Sequence, residues 1–342
     1  MTPSRLLVRG VNWLGDAVMT TPALLRLRAA LPAARVTLLT PAKLAQLWTT
    51  HPAVDEVLPL AAGEGVFAAA RRLRAGRFDA ALILPNSPRS ALEAWLARIP
   101  RRLGLARPWR TWMLTQPLPP RPDEIRMKKR SIGEIHAALA APFTIHHSPF
   151  TQSLAAHHVH HYLHLAAALG ADPAPVAPQL SLAPDEQAQA RAGLPGVAPA
   201  TGTLWAGLNP GAEYGPAKRW PAERFVAAAR EVSERTGCRW AIFGGARDVE
   251  LAAGIAAELP GSVNLAGRTT LRELMVALAA CRVLLTNDTG PMHVAAALGV
   301  PVVVPFGSTS PELTGPGLPG DARHALLRGQ APCAPCFLRE CP

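Results

Sequence analysis

The sequence predicts an α/β protein made of two doubly wound, Rossmann-like domains facing a cleft. Three observations lead there. Short apolar runs alternate with helical patterns from Arg5 onward, the signature of parallel sheets covered on both faces. The 342 residues are about twice a typical domain. Ala171-Asp172-Pro173-Ala174-Pro175-Val176-Ala177-Pro178 is a stiff connector between two such patterns. The expected domains are therefore residues 1–172 and 173–342.

Taken in order, Arg5-Leu6-Leu7-Val8-Arg9 reads as the first strand, and the loop from Gly10 to Asp16 leads into an apolar helix from about Val18 to Leu31. Val36-Thr37-Leu38-Leu39 is the second strand, Pro41 starts another helix, and Phe78 to Leu84 is a later strand running into Pro85-Asn86-Ser87-Pro88-Arg89-Ser90. Ligands of such sheets sit outside the carboxyl ends of the strands. That rule puts Asp16 and the segment Asn86 to Arg89 on the functional rim. From Arg98 to Ser153 the pattern blurs. Arg101, Arg102, Arg107, Trp109, Arg110, Trp112, Arg126, Lys128, Lys129 and Arg130 form a basic, partly aromatic stretch there. It reads as a solvated irregular region, or as a contact for acidic lipid or nucleic acid. A helix from about Ala156 to Leu169 carries His157, His158, His160, His161 and His164. Their spacing puts several imidazoles on one face, as a metal site needs, but no carboxylate or cysteine lies near in sequence. Solvated histidines are the commoner outcome.

The second half repeats the alternation. Leu204 to Leu208 is a strand leading into Asn209-Pro210-Gly211-Ala212-Glu213-Tyr214-Gly215-Pro216-Ala217-Lys218-Arg219-Trp220-Pro221, with a helix to about Arg235. Arg239 to Phe243 is the next strand, ending in Gly244-Gly245 and a helix bearing Arg247, Asp248 and Glu250. Val263-Asn264-Leu265 and a helix from Leu271 to Ala280 follow. The strand Val283-Leu284-Leu285 then runs into Asn287-Asp288-Thr289-Gly290-Pro291-Met292-His293 and a small-residue helix stopped by Gly299. Backbone N–H groups and the positive end of that helix meet at Thr289-Gly290, so a diphosphate could be held without a metal. Asp288 could take sugar hydroxyls, and His293 could donate to a phosphate. An α/β turn with an Asx cap and a satisfied histidine fits the spacing equally well. Beyond Val302-Val303-Val304 lies a hydroxyl-rich loop, Phe306 to Glu312. The chain runs out in Cys333-Ala334-Pro335-Cys336 and Cys341, three thiols short of a fourth zinc ligand, and a free tail is expected.

Composition narrows the function. With 49% hydrophobic and 17% charged residues the chain is globular, and 35 prolines imply many irregular connections. Leu6-Leu7-Val8 is too short for a signal peptide and no later apolar run has the length of a membrane span, so a cytoplasmic location is expected. The five cysteines do not form a secreted disulfide framework. Against 24 Asp and Glu stand 35 Lys and Arg, a net charge of +11 that favours a polyanionic partner: nucleic acid, an anionic membrane surface or a phosphorylated substrate. A GC-rich genome would account for part of that excess. No helix-turn-helix or aromatic-basic RNA motif supports nucleic acid.

Three blocks together resemble one family: Gly15-Asp16 with Thr21-Pro22-Ala23-Leu24, the loop Asn209 to Pro221, and Asn287 to Glu312. The combination is similar to the ADP-heptose:lipopolysaccharide heptosyltransferases of Gram-negative bacteria. Leu84-Pro85-Asn86-Ser87 with Ser90-Ala91-Leu92 fits the second rather than the first heptosyltransferase. The resemblance spans nearly the whole chain and implies a GT-B fold, with acceptor on the N-terminal domain and ADP-heptose on the C-terminal one. It implies transfer of heptose to the inner-core heptose with inversion, without cofactor or metal. Lys218 would neutralise the diphosphate, Glu250 would take the ribose hydroxyls, and Gly211, Asp288, Thr289, Gly290 and His293 would complete the donor site. Asp16 is the expected base, and Asn86, Ser87 and Arg89 the expected acceptor contacts. No Asp-x-Asp pair exists to hold a metal. Peripheral contact with the inner face of an anionic membrane is compatible with such an acceptor. Fold and diphosphate site do not fix the sugar, so a transferase or epimerase for another nucleotide sugar is the alternative. The stretch from Arg121 to Ala156 departs from the family pattern. The chain also stops where relatives continue through a further cysteine and a closing helix, which points to a truncated end.

Overall fold

The protein is described here by a computed structural model covering residues 2–125, 127, 129–140, 156–197, 203–329 and 331–342; Arg126 and Lys128 of the basic stretch lie outside them. By its contacts the chain forms two compact units, Met1–Glu124 with His158–Ser181, and Ile125–His157 with Leu182–Pro342. The expected single crossing at residues 172–173 falls inside the segment that returns to the first unit. Described residues between 125 and 157 pack with the second unit, where Ile125 and Ala156 meet Leu313 and Phe337.

The first unit holds a six-stranded parallel sheet of β1 (Arg5–Arg9), β2 (Arg35–Pro41), β3 (Glu56–Leu60), β4 (Ala80–Ile83), β5 (Arg101–Leu105) and β6 (Gln116–Leu118), in the order β3-β2-β1-β4-β5-β6. Leu6, Leu7 and Val8 are almost wholly buried. A central parallel strand is covered on both faces, which is why this one reads as a continuous apolar run. The helix expected from Val18 to Leu31 is two helices, α1 (Leu14–Met19) and α2 (Thr21–Ala30). Pro22 has no N–H to give the carbonyl of Val18, and the Thr21 hydroxyl donates to it instead at 2.8 Å. The helix expected from Pro41 is a 3-10 segment, Ala42–Trp48. Helices α3 (Val66–Ala75) and α4 (Pro88–Leu96) cover one face of the sheet, burying Ala69, Leu73, Ala91 and Ala94 against Leu7, Leu39 and Ile83.

After α5 (Ile132–Ala140) and α6 (Val159–Ala167), α7 (Pro184–Ala192) opens the continuous part of the second unit. Its sheet consists of β7 (Trp205–Asn209), β8 (Arg239–Ile242), β9 (Val263–Asn264), β10 (Leu284–Thr286), β11 (Val302–Phe306) and β12 (Ala325–Arg328). Their order is β12-β11-β10-β7-β8-β9, again parallel. The helices are α8 (Ala222–Thr236), α9 (Val249–Glu258), α10 (Leu271–Ala279), α11 (Gly290–Ala297) and the short α12 (Pro311–Thr314). A reciprocal cap fixes the start of α10: the Glu273 N–H donates to Thr270 Oγ1 at 3.2 Å and the Thr270 N–H to Glu273 Oε2 at 2.7 Å. Both sheets reverse direction beside their first strand, between β1 and β4 and between β7 and β10. The carboxyl ends at those two points are where an α/β sheet leaves a crevice for ligands.

Among the described residues no helix is long and apolar enough to cross a membrane. The arginines at the front of the basic stretch are engaged by the protein, while Trp109, Trp112 and Lys129 of the same stretch are exposed. Arg101 donates to Gln116, Arg102 to the carbonyls of Ile99 and Met113, and Arg107 pairs with Glu124 at 2.9 Å. Arg110 is wholly buried.

Candidate active site

In the second unit the crevice is laced by two buried asparagines. Asn287 accepts from the Trp220 N–H at 2.9 Å and donates to the Pro210 carbonyl at 2.7 Å. Asn209, paired across the ladder with Thr286, donates to its hydroxyl at 3.3 Å. These bonds fix the loop after β7 against the turn after β10, and the loop brings Lys218 onto Asp288. Lys218 Nζ lies 2.6 Å from Asp288 Oδ2, while the Thr309 hydroxyl donates to the same oxygen at 2.6 Å. Asp288 is 5% exposed, so the charge is paired where water does little for it. An ammonium has three N–H donors, and the pair leaves some of them for a ligand. Tyr214 stands 5.0 Å from Nζ, measured to the ring centroid.

Thr289 is the extended residue preceding α11, with no side-chain cap; Gly290 opens the helix and Pro291 stands second. The amides of Thr289 and Gly290 have no acceptor among the described residues. They sit beside the Lys218–Asp288 pair at the start of a helix, a place where free amides can take an anion. His293 is one turn further in and buried. Gly211 has a steric reason to be glycine: an added Cβ would lie 2.4 Å from the Asp248 carboxylate, which accepts from the Gly245 N–H and sits 3.6 Å from Arg219. Glu250 is exposed on the first turn of α9, with its carboxylate in no ion pair among the described residues.

The tail is not free. Phe337 and Cys336 are buried, the Phe337 N–H donates to the Ser308 carbonyl at 2.7 Å, and Tyr214 Oη donates to the Phe337 carbonyl at 2.8 Å. At Gly215, with φ of +153°, an added Cβ would fall 2.4 Å from the Arg339 carbonyl oxygen. The tail thus backs the loop that carries Lys218. No group of three or more metal-ligating side chains occurs among the described residues. In the histidine helix, His157 Nε2 meets the Gly315 carbonyl at 3.0 Å and His164 Nε2 meets the Pro119 carbonyl at 2.9 Å.

In the first unit Asp16 is the third residue of α1. The residue preceding that helix is Trp13, with no side-chain cap, so Asp16 does not fill the capping position. Instead it receives a hydrogen bond from the buried Tyr162 of α6. Burial first, then the negative charge and hydrogen bond of Asp16, hold the Tyr162 phenol well above its ordinary value. On the other side of the crevice Ser87 caps α4, accepting from the Ser90 N–H at 3.3 Å, and Asn86 is exposed. Arg89, half exposed, pairs at 3.0 Å with Glu93, which is buried and also holds Arg9 at 2.8 Å. Beneath this turn Arg110 donates to the Pro85 carbonyl at 2.5 Å, while its Nε and Nη2 have no partner among the described residues. Burial, and secondarily Arg107, lower it to about 10.

The structure thus brings Lys218, Asp288, Thr289 and Gly290 together in one unit, and Asn86, Ser87 and Arg89 on one turn of the other. Sequence reasoning missed Thr309 and Tyr214 around the lysine, Tyr162 behind Asp16, and the inward course of Arg110. Tyr162 lies among the helix histidines, and only the folded chain shows that it reaches α1.

A family model described as Glycosyltransferase family 9 (heptosyltransferase) matches residues 125–342. The chain is 32% identical over 330 residues to lipopolysaccharide heptosyltransferase 2 of Escherichia coli K12, covering 91% of this chain and 85% of that one. Against lipooligosaccharide heptosyltransferase 2 of Haemophilus influenzae it is 30% identical, with the same shares covered. Among solved structures it is similar to E. coli ADP-heptose lipopolysaccharide heptosyltransferase II, with a TM-score of 0.74, 28% identity, and 96% and 94% of the two chains covered. A family 9 glycosyltransferase from Veillonella parvula gives a TM-score of 0.76 at 26% identity, covering 95% and 86%. The two parallel sheets and these likenesses make the fold GT-B.

Proposed function

We infer the chemistry from one premise: the chain belongs to glycosyltransferase family 9, the heptosyltransferases. It is a glycosyltransferase of the heptosyltransferase 2 kind, moving L-glycero-D-manno-heptose from ADP-heptose to the heptose of the lipopolysaccharide inner core. The observation that carries this reading is the Lys218–Asp288 pair, 2.6 Å apart beside the open amides of Thr289 and Gly290. Transfer leaves negative charge on the departing ADP. A lysine and a helix start stabilise it without a metal. Asp288 and His293 take the sugar-diphosphate portion, Gly211 lets the loop approach, and Glu250, uncommitted on α9, takes the ribose hydroxyls.

Inversion requires an acceptor hydroxyl to attack opposite ADP, and a base to take its proton as the bond forms. Asp16 fills that role, oriented by Tyr162. Asn86, Ser87 and Arg89 contact the anionic acceptor, with Ser87 also serving as a helix cap. Because that acceptor is a lipid, the enzyme works at the inner face of the cytoplasmic membrane, in peripheral contact with it.

The test is direct. Protein, ADP-heptose and a lipid A–Kdo2–heptose acceptor are mixed and the product is weighed by mass spectrometry, with one added heptose expected. No product, with transfer from another nucleotide sugar instead, overturns the choice of donor.

A further inference from the structure

The outer side of α3 and α4 carries features that the reaction does not use. Phe67 is 74% exposed, Trp109 84% and Trp112 65%. Trp112 packs edge-on against the partly exposed Trp95 of α4 with centroids 5.3 Å apart. Isolated exposed apolar residues are ordinary, but here three of a chain's eight tryptophans gather on one loop and the helix beside it. The surrounding charge has a single sign. Between Gly65 and Met113 there are ten arginines against two carboxylates, Asp79 and Glu93. Glu93 is buried and paired with Arg89 and with Arg9 of β1, and Asp79 is engaged by Ser4 and the Arg5 amide. Arg71, on the Phe67 side of α3, and Arg98, just after Trp95, are exposed with no ion pair among the described residues. Arg74 donates to the Leu96 carbonyl at 2.6 Å, tying the end of α3 to the end of α4, so these groups share one surface.

We propose that this surface, centred on Trp95, Trp109 and Trp112 with Arg71 and Arg98, docks on an anionic lipid bilayer. Indole rings settle at the boundary between headgroups and acyl chains, where one edge is apolar and the other wet. Exposed arginines add attraction to anionic headgroups that falls off within a Debye length. A nucleic acid would match the charge, but a strand needs ring faces open for stacking along a groove, whereas Trp112 stands edge-on to Trp95 on a helix and its neighbouring loop. The proposal refines the membrane contact inferred above and rests on it for its biological sense. It does not rest on the donor or the base.

The experiment is flotation of the full chain, without donor or acceptor, on vesicles of phosphatidylcholine alone or with one third phosphatidylglycerol. Wild type is expected to float with the anionic vesicles, with a blue shift in tryptophan emission, and to release as salt rises. Trp109→Ser with Trp112→Ser, and separately Arg71→Ser with Arg98→Ser, should each weaken partitioning by roughly tenfold or more, given ~1 kcal/mol for each arginine near the surface. Both variants should keep the wild-type melting temperature and turnover on a soluble, deacylated acceptor. Wild type that stays unbound, or tryptophan variants that float like wild type, would overturn the proposal. So would tryptophan variants that differ from wild type only in self-association, since that assigns the surface to a second copy. Failed heptose transfer with intact flotation would count against the catalytic reading and leave the surface in place.

Discussion

The phenol of Tyr162 in α6 donates a hydrogen bond to the carboxylate of Asp16 in α1. A buried phenol donating to Asp16 restricts where that carboxylate points, and the base proposed there would act only from the right position. Asp16→Asn keeps the amide oxygen as an acceptor but cannot take a proton. It is expected to retain its melting temperature and ADP binding while losing on the order of 10²–10⁴ in turnover. Tyr162→Phe leaves the base present but unheld, and should lower kcat by roughly 10 to 100-fold with the donor KM little changed. Steady-state kinetics on both variants check this, and near-normal turnover of Asp16→Asn would move the base elsewhere.

The pair of Lys218 with Asp288 makes a sharper prediction than a lone lysine would. On the proposed reading Lys218→Ala removes the positive charge that would meet ADP, at about 2–4 kcal/mol in the transition state, and also leaves a buried carboxylate with Thr309 as its remaining side-chain donor among the described residues. Adding Asp288→Asn should restore the melting temperature and not the turnover. Recovery of both in the double variant would make the pair structural.

Arg89 is half exposed and shares Glu93 with Arg9, so its attraction for an anionic acceptor is open to screening. The acceptor KM should therefore rise with ionic strength more steeply than the ADP-heptose KM. Arg89→Ala should flatten that difference. Equal salt sensitivity of the two substrates would contradict the role.

His51 is 3% exposed and packs edge-on against Trp48. Burial lowers its pKa from 6.5 to about 4, with the Gln179 backbone acting weakly the other way. The unfolded chain thus takes up a proton near pH 6.5 that the folded chain refuses until about pH 4. The stability this histidine contributes is complete above pH 6.5 and is lost as pH falls toward 4, by on the order of 3 kcal/mol. Denaturant melts of wild type and His51→Gln at pH 7 and pH 4.5 should show a smaller loss for the variant.

What could be read from the sequence follows burial and punctuation. Central strands such as β1, β7 and β10 carry unbroken apolar runs because both faces are covered, and each was expected within a residue or two of where it lies. β5 was hidden because it opens with Arg101 and Arg102, whose charges are absorbed by Gln116 and by backbone carbonyls that no sequence pattern announces. The strand, turn and helix around Asp288 were legible because they are local and lie in one run. Tyr162 and Thr309 were not, since each meets its carboxylate through folding across a different element. The tail was misread for the same reason: its cysteines suggested metal or freedom, while Phe337 carries the packing.

Arg110 gives the first unit a charge of another kind. Even at about 10 its pKa keeps it cationic at neutrality, and no carboxylate meets it beneath the Pro85 carbonyl. Mobile ions crowd around surface arginines and shorten their reach, but they cannot follow a guanidinium into the interior. The Asn86–Arg89 turn therefore has beneath it a fixed positive charge that no mobile counter-ion can pair with directly. On the proposed reading, that charge would add to the attraction of Arg89 for an anionic acceptor without being neutralised by a bound counter-ion.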